Sequence, residues 1–363
     1  MKEILVSRAA LKNNLGAVRA RAPGLTLIGS LRSDAYGLGL IPAARFLYDE
    51  GVRFFAVESA GDAARLRAEG FSDVELLLTR STSDPEEIET LLDLGAAATV
   101  GSQEAAVALA GIADRRGTVA EAHVRVDTGC GAYGFAPAEA DSIAAVFQYM
   151  KGIAVSGLYT VYDPAASRKA RHIQARAFGE VLDKLRAAKL ETGLVHAAGS
   201  SVLLTDHGAK DPLPLFDAVR VGSALTGHIS GRVSGRKTGL IPAARLISRV
   251  AEAGWRPAGA KPGGKRLKAA ARVGIVPAGT ADGLDVSVPP ASRRALWAEF
   301  RRRWFSSGPV LRLADGKRLP LLGPAGPDFT AVRIDHLSVQ VGDEVYADVN
   351  PIYCSGIPRR YTT

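Results

Sequence analysis

Two segments carry the residue types that hold a small anion. Gly199-Ser200-Ser201 and Arg220-Val221-Gly222-Ser223 each join glycine to serine. Glycine lets backbone N–H groups approach an anion, and serine hydroxyls add donors. Gly-Ser pairs are also ordinary turn residues, so the pairs alone leave both readings open. The two cysteines, Cys130 and Cys354, are too few for a disulfide framework or a metal cluster. Two thiols that met across a substrate could act as an acid–base pair without a cofactor; the alternative is two unrelated cysteines. A third segment, Leu31-Arg32-Ser33-Asp34-Ala35-Tyr36-Gly37-Leu38-Gly39, follows the apolar run Leu25–Ile28 and precedes a helix-like run from Leu40 to Leu47. The guanidinium of Arg32 stays protonated in any ordinary site, so it cannot serve as a nucleophilic amine.

The elements that must position these residues follow a regular pattern. Eight apolar strand-like runs alternate with helix-length segments: Leu25–Leu31, Phe54–Val57, Val74–Leu78, Ala97–Val100, Ala122–Val126, Val155–Thr160, Leu194–Ala198 and Ala218–Val221. Pro42–Glu50, Ala60–Glu69, Pro85–Leu94, Gln103–Ala113 and Lys169–Lys189 have helical spacing. Eight such units predict a closed (β/α)8 barrel, a TIM-type α/β fold, over residues 11–238. Ligands of such barrels sit at the C-terminal strand ends, with phosphate commonly after strands 7 and 8. That is where the two Gly-Ser segments fall.

The alternation stops near Gly239. Shorter β-type runs follow at Ala244–Val250, Ala271–Val276, Leu284–Val288, Phe329–Ile334 and Glu344–Val349, punctuated by glycine and proline. They predict a mainly β domain over 239–363, joined by the N-terminal strand Glu3–Val6. Ser292–Phe305 reads as a short helix and Ala258–Gly264 as a flexible loop.

The chain has 363 residues and 47% hydrophobic composition, enough for large cores. No apolar run reaches the ~18 residues of a membrane span, and the N-terminus lacks a signal-peptide core, so the expected location is cytoplasmic. Net charge is +9. Residues 1–238 balance 27 basic against 27 acidic side chains, and residues 239–363 hold 19 against 10. The excess gathers at Lys261, Lys265, Arg266, Lys268 and Arg272, and again at Arg293, Arg294, Arg301, Arg302 and Arg303. A polyanion-binding surface is one reading and a solvated face the other. Aromatic interleaving is limited to Trp304 and Phe305, which argues against nucleic acid.

The segment around Arg32 resembles the pyridoxal phosphate (PLP) attachment motif of the alanine racemase family, in which a lysine leads into Ala-Tyr-Gly. Further motifs agree in register: Val126-Asp127-Thr128-Gly129, His196–Ser200, Asp217–Gly222, Val276–Gly283, Asp335, Val341–Val345 and Pro358–Tyr361. The resemblance implies that Tyr36, Ser200, Arg220, Gly222 and Ser223 face the cofactor's phosphate and ring. It implies a head-to-tail homodimer, each site completed by the partner subunit. It also exposes departures. Arg32 holds the place of the Schiff-base lysine and Thr280 that of the second base, a tyrosine. Ala132 holds the place of the substrate-carboxylate arginine, Arg125 that of the lysine before Asp-Thr-Gly, Val161 that of a histidine, and Ile334 that of a methionine. No other lysine stands at a strand end; Lys237 is the nearest stand-in. The expectation is a catalytically degenerate homologue with no catalytic residue of its own. It would bind PLP or another small phosphorylated ligand non-covalently, or act as a scaffold. The alternatives are an enzyme of altered chemistry, racemase-like with PLP unattached or absent, and a basic polyanion-binding module.

Overall fold

The computed structural model describes residues 2–206, 213–229, 238–286 and 310–362. The expected helix Ser292–Phe305, the second basic cluster and Lys237 lie outside the described residues. The chain divides into two compact units, Ala10–Ile241 and Met1–Ala9 with Pro242–Thr363.

An N-terminal strand, β1 (Glu3–Ser7), belongs to the second unit. The first unit is a closed barrel of parallel strands: β2 (Thr26–Ser30), β3 (Phe54–Val57), β4 (Glu75–Ser81), β5 (Ala97–Val100), β6 (Ala120–Arg125), β7 (Ile153–Tyr159), β8 (Leu194–Gly199) and β9 (Ala218–Val221). The last strand returns to the first, with Thr26 opposite Ala218 and Gly29 opposite Val221. β3 and β5 are buried at every position. A strand covered on both faces needs a continuous apolar run, which is why these segments stand out in the sequence.

The outer helices start where side chains can satisfy free N–H groups. Ser59, Ser102 and Ser167 accept from the amides of Asp62, Ala105 and Ala170. Asp84 accepts from Glu86 and Glu87, with Pro85 at the first helical position. A helix at Ala140–Tyr149, between β6 and β7, adds to those read from sequence; it buries Ala140, Ile143 and Val146 along one face.

The barrel interior changes character along its axis. Ile28, Phe54, Ala56, Leu77, Ala97 and Ala218 form an apolar cluster. Closer to the C-terminal strand ends stand Thr99, His123, Tyr159 and His196, all buried. Thr99 Oγ1 lies 2.9 Å from the Tyr159 hydroxyl, which reaches Thr79 O at 3.0 Å. Tyr159 stacks on His196, ring centroids 4.7 Å apart. His123 Nδ1 is 3.1 Å from His196 Nε2, and Arg220 Nη1 is 2.6 Å from His196 Nδ1. Arginine only donates, so Nδ1 of His196 must accept. The His196 proton is then on Nε2, directed at His123 Nδ1. Gly157 makes room for this pair, since a Cβ there would fall 2.3 Å from His123 Nδ1.

The second unit holds a six-stranded and a three-stranded sheet. Its strands are β10 (Ala244–Arg249), β11 (Glu252–Arg256), β12 (Ala271–Val276), β13 (Leu311–Leu313), β14 (Arg318–Leu319), β15 (Thr330–Arg333), β16 (Glu344–Asp348) and β17 (Arg359–Thr362). The sheet orders are β14-β13-β16-β10-β1-β17 and β11-β12-β15. One sequence expectation fails here. Leu284–Val286 is not strand: Gly283 ends a short turn in the left-handed region and the Leu284 amide bonds back to Gly279 O at 3.2 Å; the rest of that expected strand, 287–288, lies outside the described residues. Ala258–Gly264 is a loop, as expected, and is tied back to the chain after it. Gly259 N donates to Leu267 O at 2.9 Å and Leu267 N to Ala260 O at 2.8 Å.

Burial, then the charge of Arg220, holds His123 down at about 4, and the same causes with His123 hold His196 well below its usual value. Both are neutral in the fold, so the unfolded chain takes up their protons first as pH falls. The contribution of His123 is complete above about pH 6.5 and is lost as pH falls toward about 4, and that of His196 falls in the same direction. At pH 5, His123 alone costs about 2 kcal/mol. Urea unfolding at pH 7 and pH 5 measures this, and His123→Asn is expected to flatten the dependence. An equally steep loss in that variant contradicts the assignment.

Candidate functional site at the C-terminal end of the barrel

β2 ends in an unusual turn. Ser33, Asp34, Ala35 and Tyr36 have φ of 52°, 53°, 55° and 57°, a left-handed turn built from non-glycine residues. Each such residue costs about 1–2 kcal/mol. Specific bonds hold it. Ser33 N donates to Glu58 Oε1 at 2.8 Å, Leu40 N donates to Asp34 Oδ1 at 2.8 Å, and the Ala35 methyl is buried. Gly37 closes it at φ 80°, its N–H directed at Ser33 O and Asp34 O. The turn lays the Tyr36 ring against β9. A Cβ on Gly222 would fall 2.2 Å from Tyr36 Cε2, so only glycine admits the ring. Arg32, at the start of the turn, is exposed and has no hydrogen bond or ion pair among those of the described residues.

The two Gly-Ser segments meet. Gly222 N donates to Ser200 Oγ at 3.0 Å, and that hydroxyl donates to Arg220 O at 3.3 Å. Ser200 is buried and Ser223 half-buried. The Arg220 guanidinium is fixed by neutral acceptors only: His196 Nδ1, Thr160 O at 2.8 Å and Ala197 O at 3.0 Å. Burial pushes it down to about 10, still protonated at neutral pH.

After β6 the chain turns on itself. The Asp127 carboxylate accepts the amides of Gly129, Cys130 and Gly131. Phe135 then bonds back to Arg125 O at 2.9 Å. Thr128 and Thr160 join their hydroxyls at 2.9 Å. Ala132 is exposed and brings only a methyl group. The Cys130 thiol reaches Val161 O at 3.1 Å, and partial burial with Asp163 and Asp127 pushes it up, away from the reactive thiolate.

Tyr36, Ser200, Arg220 and Gly222 are therefore gathered at one end of the barrel. Thr280 lies in the other unit, on the exposed start of a short turn. Cys354 is fully buried, its thiol on Asp282 O at 3.3 Å and pushed up to about 11 by burial. That overturns the two-thiol reading, because a buried protonated thiol cannot serve as a base. Sequence reasoning missed the part played by Tyr159 and the two histidines. It noted Arg125 only as a departure, although a charged residue ending an apolar barrel strand is itself a signal.

These residues can be tested against PLP. On the resemblance, Ser200 and Gly222 would hold the phosphate and Tyr36 and Arg220 would flank the ring, and these four residues do lie together. The covalent side is not matched. Arg32 cannot condense with an aldehyde, and among the described residues no lysine stands at the C-terminal end of a barrel strand. Nor do the described residues include a His, Cys, Asp and Glu group that could hold a metal ion.

Comparison with known proteins gives a consistent result. The family model for the alanine racemase N-terminal domain matches residues 6–230. A protein named alanine racemase from Treponema pallidum subsp. pallidum is 30% identical over 370 residues, covering 95% of each chain. Another of that name, from Carboxydothermus hydrogenoformans, is 28% identical over 341 residues, covering 92% of this chain and 86% of the relative. Among solved structures, the alanine racemase from Streptomyces coelicolor A3(2) has a TM-score of 0.83 at 23% identity, covering 100% of this chain and 98% of that one. The barrel, its β-rich companion unit and these matches together place the chain in the alanine racemase family.

Proposed function

We propose that this chain is a catalytically degenerate member of its family that binds a small phosphorylated ligand, PLP-like in shape, without a covalent bond. The observation that carries this reading is the pairing of Arg32 with an intact phosphate side. The amine is replaced by a guanidinium, while Ser200, Gly222, Tyr36 and Arg220 stay assembled. A phosphate would take the Gly222 N–H, which now donates to Ser200 Oγ, and the Ser200 hydroxyl proton, which now goes to Arg220 O. Both places of the expected bases hold residues that cannot serve as one, a guanidinium at Arg32 and an alcohol at Thr280.

We take the working unit to be a homodimer. The family resemblance supports this, each site then being completed by the partner subunit. No helix among the described residues is long and apolar enough to cross a membrane. The polyanion reading gains little. Lys261, Lys265, Arg266 and Lys268 are exposed, but Arg272 is spent on Val339 O at 3.0 Å.

Incubation with PLP, borohydride reduction and peptide mapping are expected to leave no pyridoxyl group on any barrel peptide. Arg32→Lys restores an amine at the same strand end and is expected to gain one. A specific adduct on the unmodified protein contradicts the reading.

Conversion of L-alanine to D-alanine is expected at background level with or without PLP, since each missing acid–base partner removes about 10²–10⁴-fold. Robust turnover that depends on PLP would refute degeneracy.

Pyridoxine phosphate at 100 times its dissociation constant is expected to add about 2.7 kcal/mol of stability. Ser200→Ala should remove most of that gain. If no phosphorylated compound shifts the melting of either protein, the turns are structural only.

A further inference from the structure

We infer that the ligand of this site carries a second acidic group, a carboxylate, received by Arg125 with Arg220 beside it. The inference rests on the proposed phosphate-binding reading and extends it to a ligand class: phosphomonoesters that also bear a carboxylate.

Arg125 ends β6 and is only 8% exposed. A guanidinium has five N–H donors. In Arg125 the one hydrogen bond among the described residues is a long one, Nη1 to Thr79 O at 3.3 Å, and its buried Nε–H has no partner. Leaving a buried cation and its donors unmatched is costly, because desolvation is not repaid. Neither Arg125 nor Arg220 forms an ion pair among those of the described residues. Arg80, on the neighbouring β4, does pair, with Glu87.

The nearby acids point elsewhere: Asp127 accepts three backbone amides, Glu58 accepts Ser33 N, Asp163 accepts Ala165 N at 2.8 Å, and among the described residues none of them pairs with Arg125 or Arg220. Arg125 and Arg220 both approach the Tyr159 ring, at 5.8 and 5.3 Å from its centroid. The Tyr159 hydroxyl is used up inside the barrel, so the ring acts as a shared platform. The cost of two uncompensated cations around one ring is removed by an anion placed there.

A carboxylate fits better than a second phosphate. It is planar and matches the guanidinium fork in two parallel bonds. A tetrahedral phosphate needs hydroxyl and amide donors around it, and the nearby Thr128 and Thr160 hydroxyls are bonded to each other. Ala132, in the loop after β6, offers no competing charge. Arg125 is therefore a specificity residue that discriminates ligands by their acidic group.

The test uses two probes with the full-length protein. Phosphopyridoxyl-L-alanine carries phosphate and carboxylate; phosphopyridoxyl-ethylamine lacks only the carboxylate. Calorimetric titration is expected to show the first binding at least about tenfold tighter, the least that one charge-assisted pair supplies. In Arg125→Gln that advantage should shrink to about twofold or less, with ethylamine-probe affinity unchanged. Equal affinity of the two probes for the unmodified protein overturns the inference while leaving phosphate binding intact. So does an undiminished carboxylate advantage in Arg125→Gln. If Arg125→Gln does not fold, the comparison on the unmodified protein decides alone. Failure of both probes to bind overturns the inference together with the phosphate reading beneath it.

Discussion

Pairing of the first barrel strand with the last is the constraint on which the site depends. Ile28 stands opposite Arg220 and Gly29 opposite Val221. This closure sets the turn that follows β2 beside the turn that follows β9. Tyr36 then meets Gly222 at a distance that excludes any Cβ, and Ser200, ending β8, bonds to the Gly222 amide. Parallel pairing requires a crossover between successive strands, so seven crossovers separate the two turns that meet.

The fold was legible because its signals are large and repeated. Barrel strands such as Phe54–Val57 and Ala97–Val100 are buried on both faces, so their apolar runs interrupt an otherwise mixed sequence. Most strands missed in the second unit are of the opposite kind. β11, β14 and β17 lie at sheet edges, where charges discourage unwanted pairing, and they carry Glu252, Arg256, Arg318, Arg359 and Arg360; β13, an interior strand, was missed because it is only three residues long. A hydrophobic pattern cannot find a strand whose role is to be polar. Leu284–Val286 misled for the converse reason: its apolar residues serve a turn closed by Gly283.

The site was legible only in part. Its glycines and serines follow from where barrels bind phosphate, and these residues do gather. The left-handed turn was not readable, because Ser, Asp, Ala and Tyr have no shared preference for that conformation. It exists because Glu58 holds it from outside while the Asp34 side chain and Gly37 close it from within. Nor does the sequence show that His123 and His196 join in one buried line to Arg220, since their separation of 73 residues hides the contact. That line keeps a cation at the barrel mouth with neutral partners, leaving its charge available.

Arg125 and Arg220 bond only to neutral acceptors among the described residues, and Arg32 stands where the family resemblance places an amine. The central claim is that the ligand is held by charge and hydrogen bonds alone. A high-resolution crystal structure of the protein soaked in PLP tests it most directly. The account predicts phosphate density against Ser200 and Gly222, the ring beside Tyr36 and Arg220, and a clear gap between the ligand aldehyde carbon and every side chain. Continuous density from that carbon to any nitrogen of the protein would contradict it.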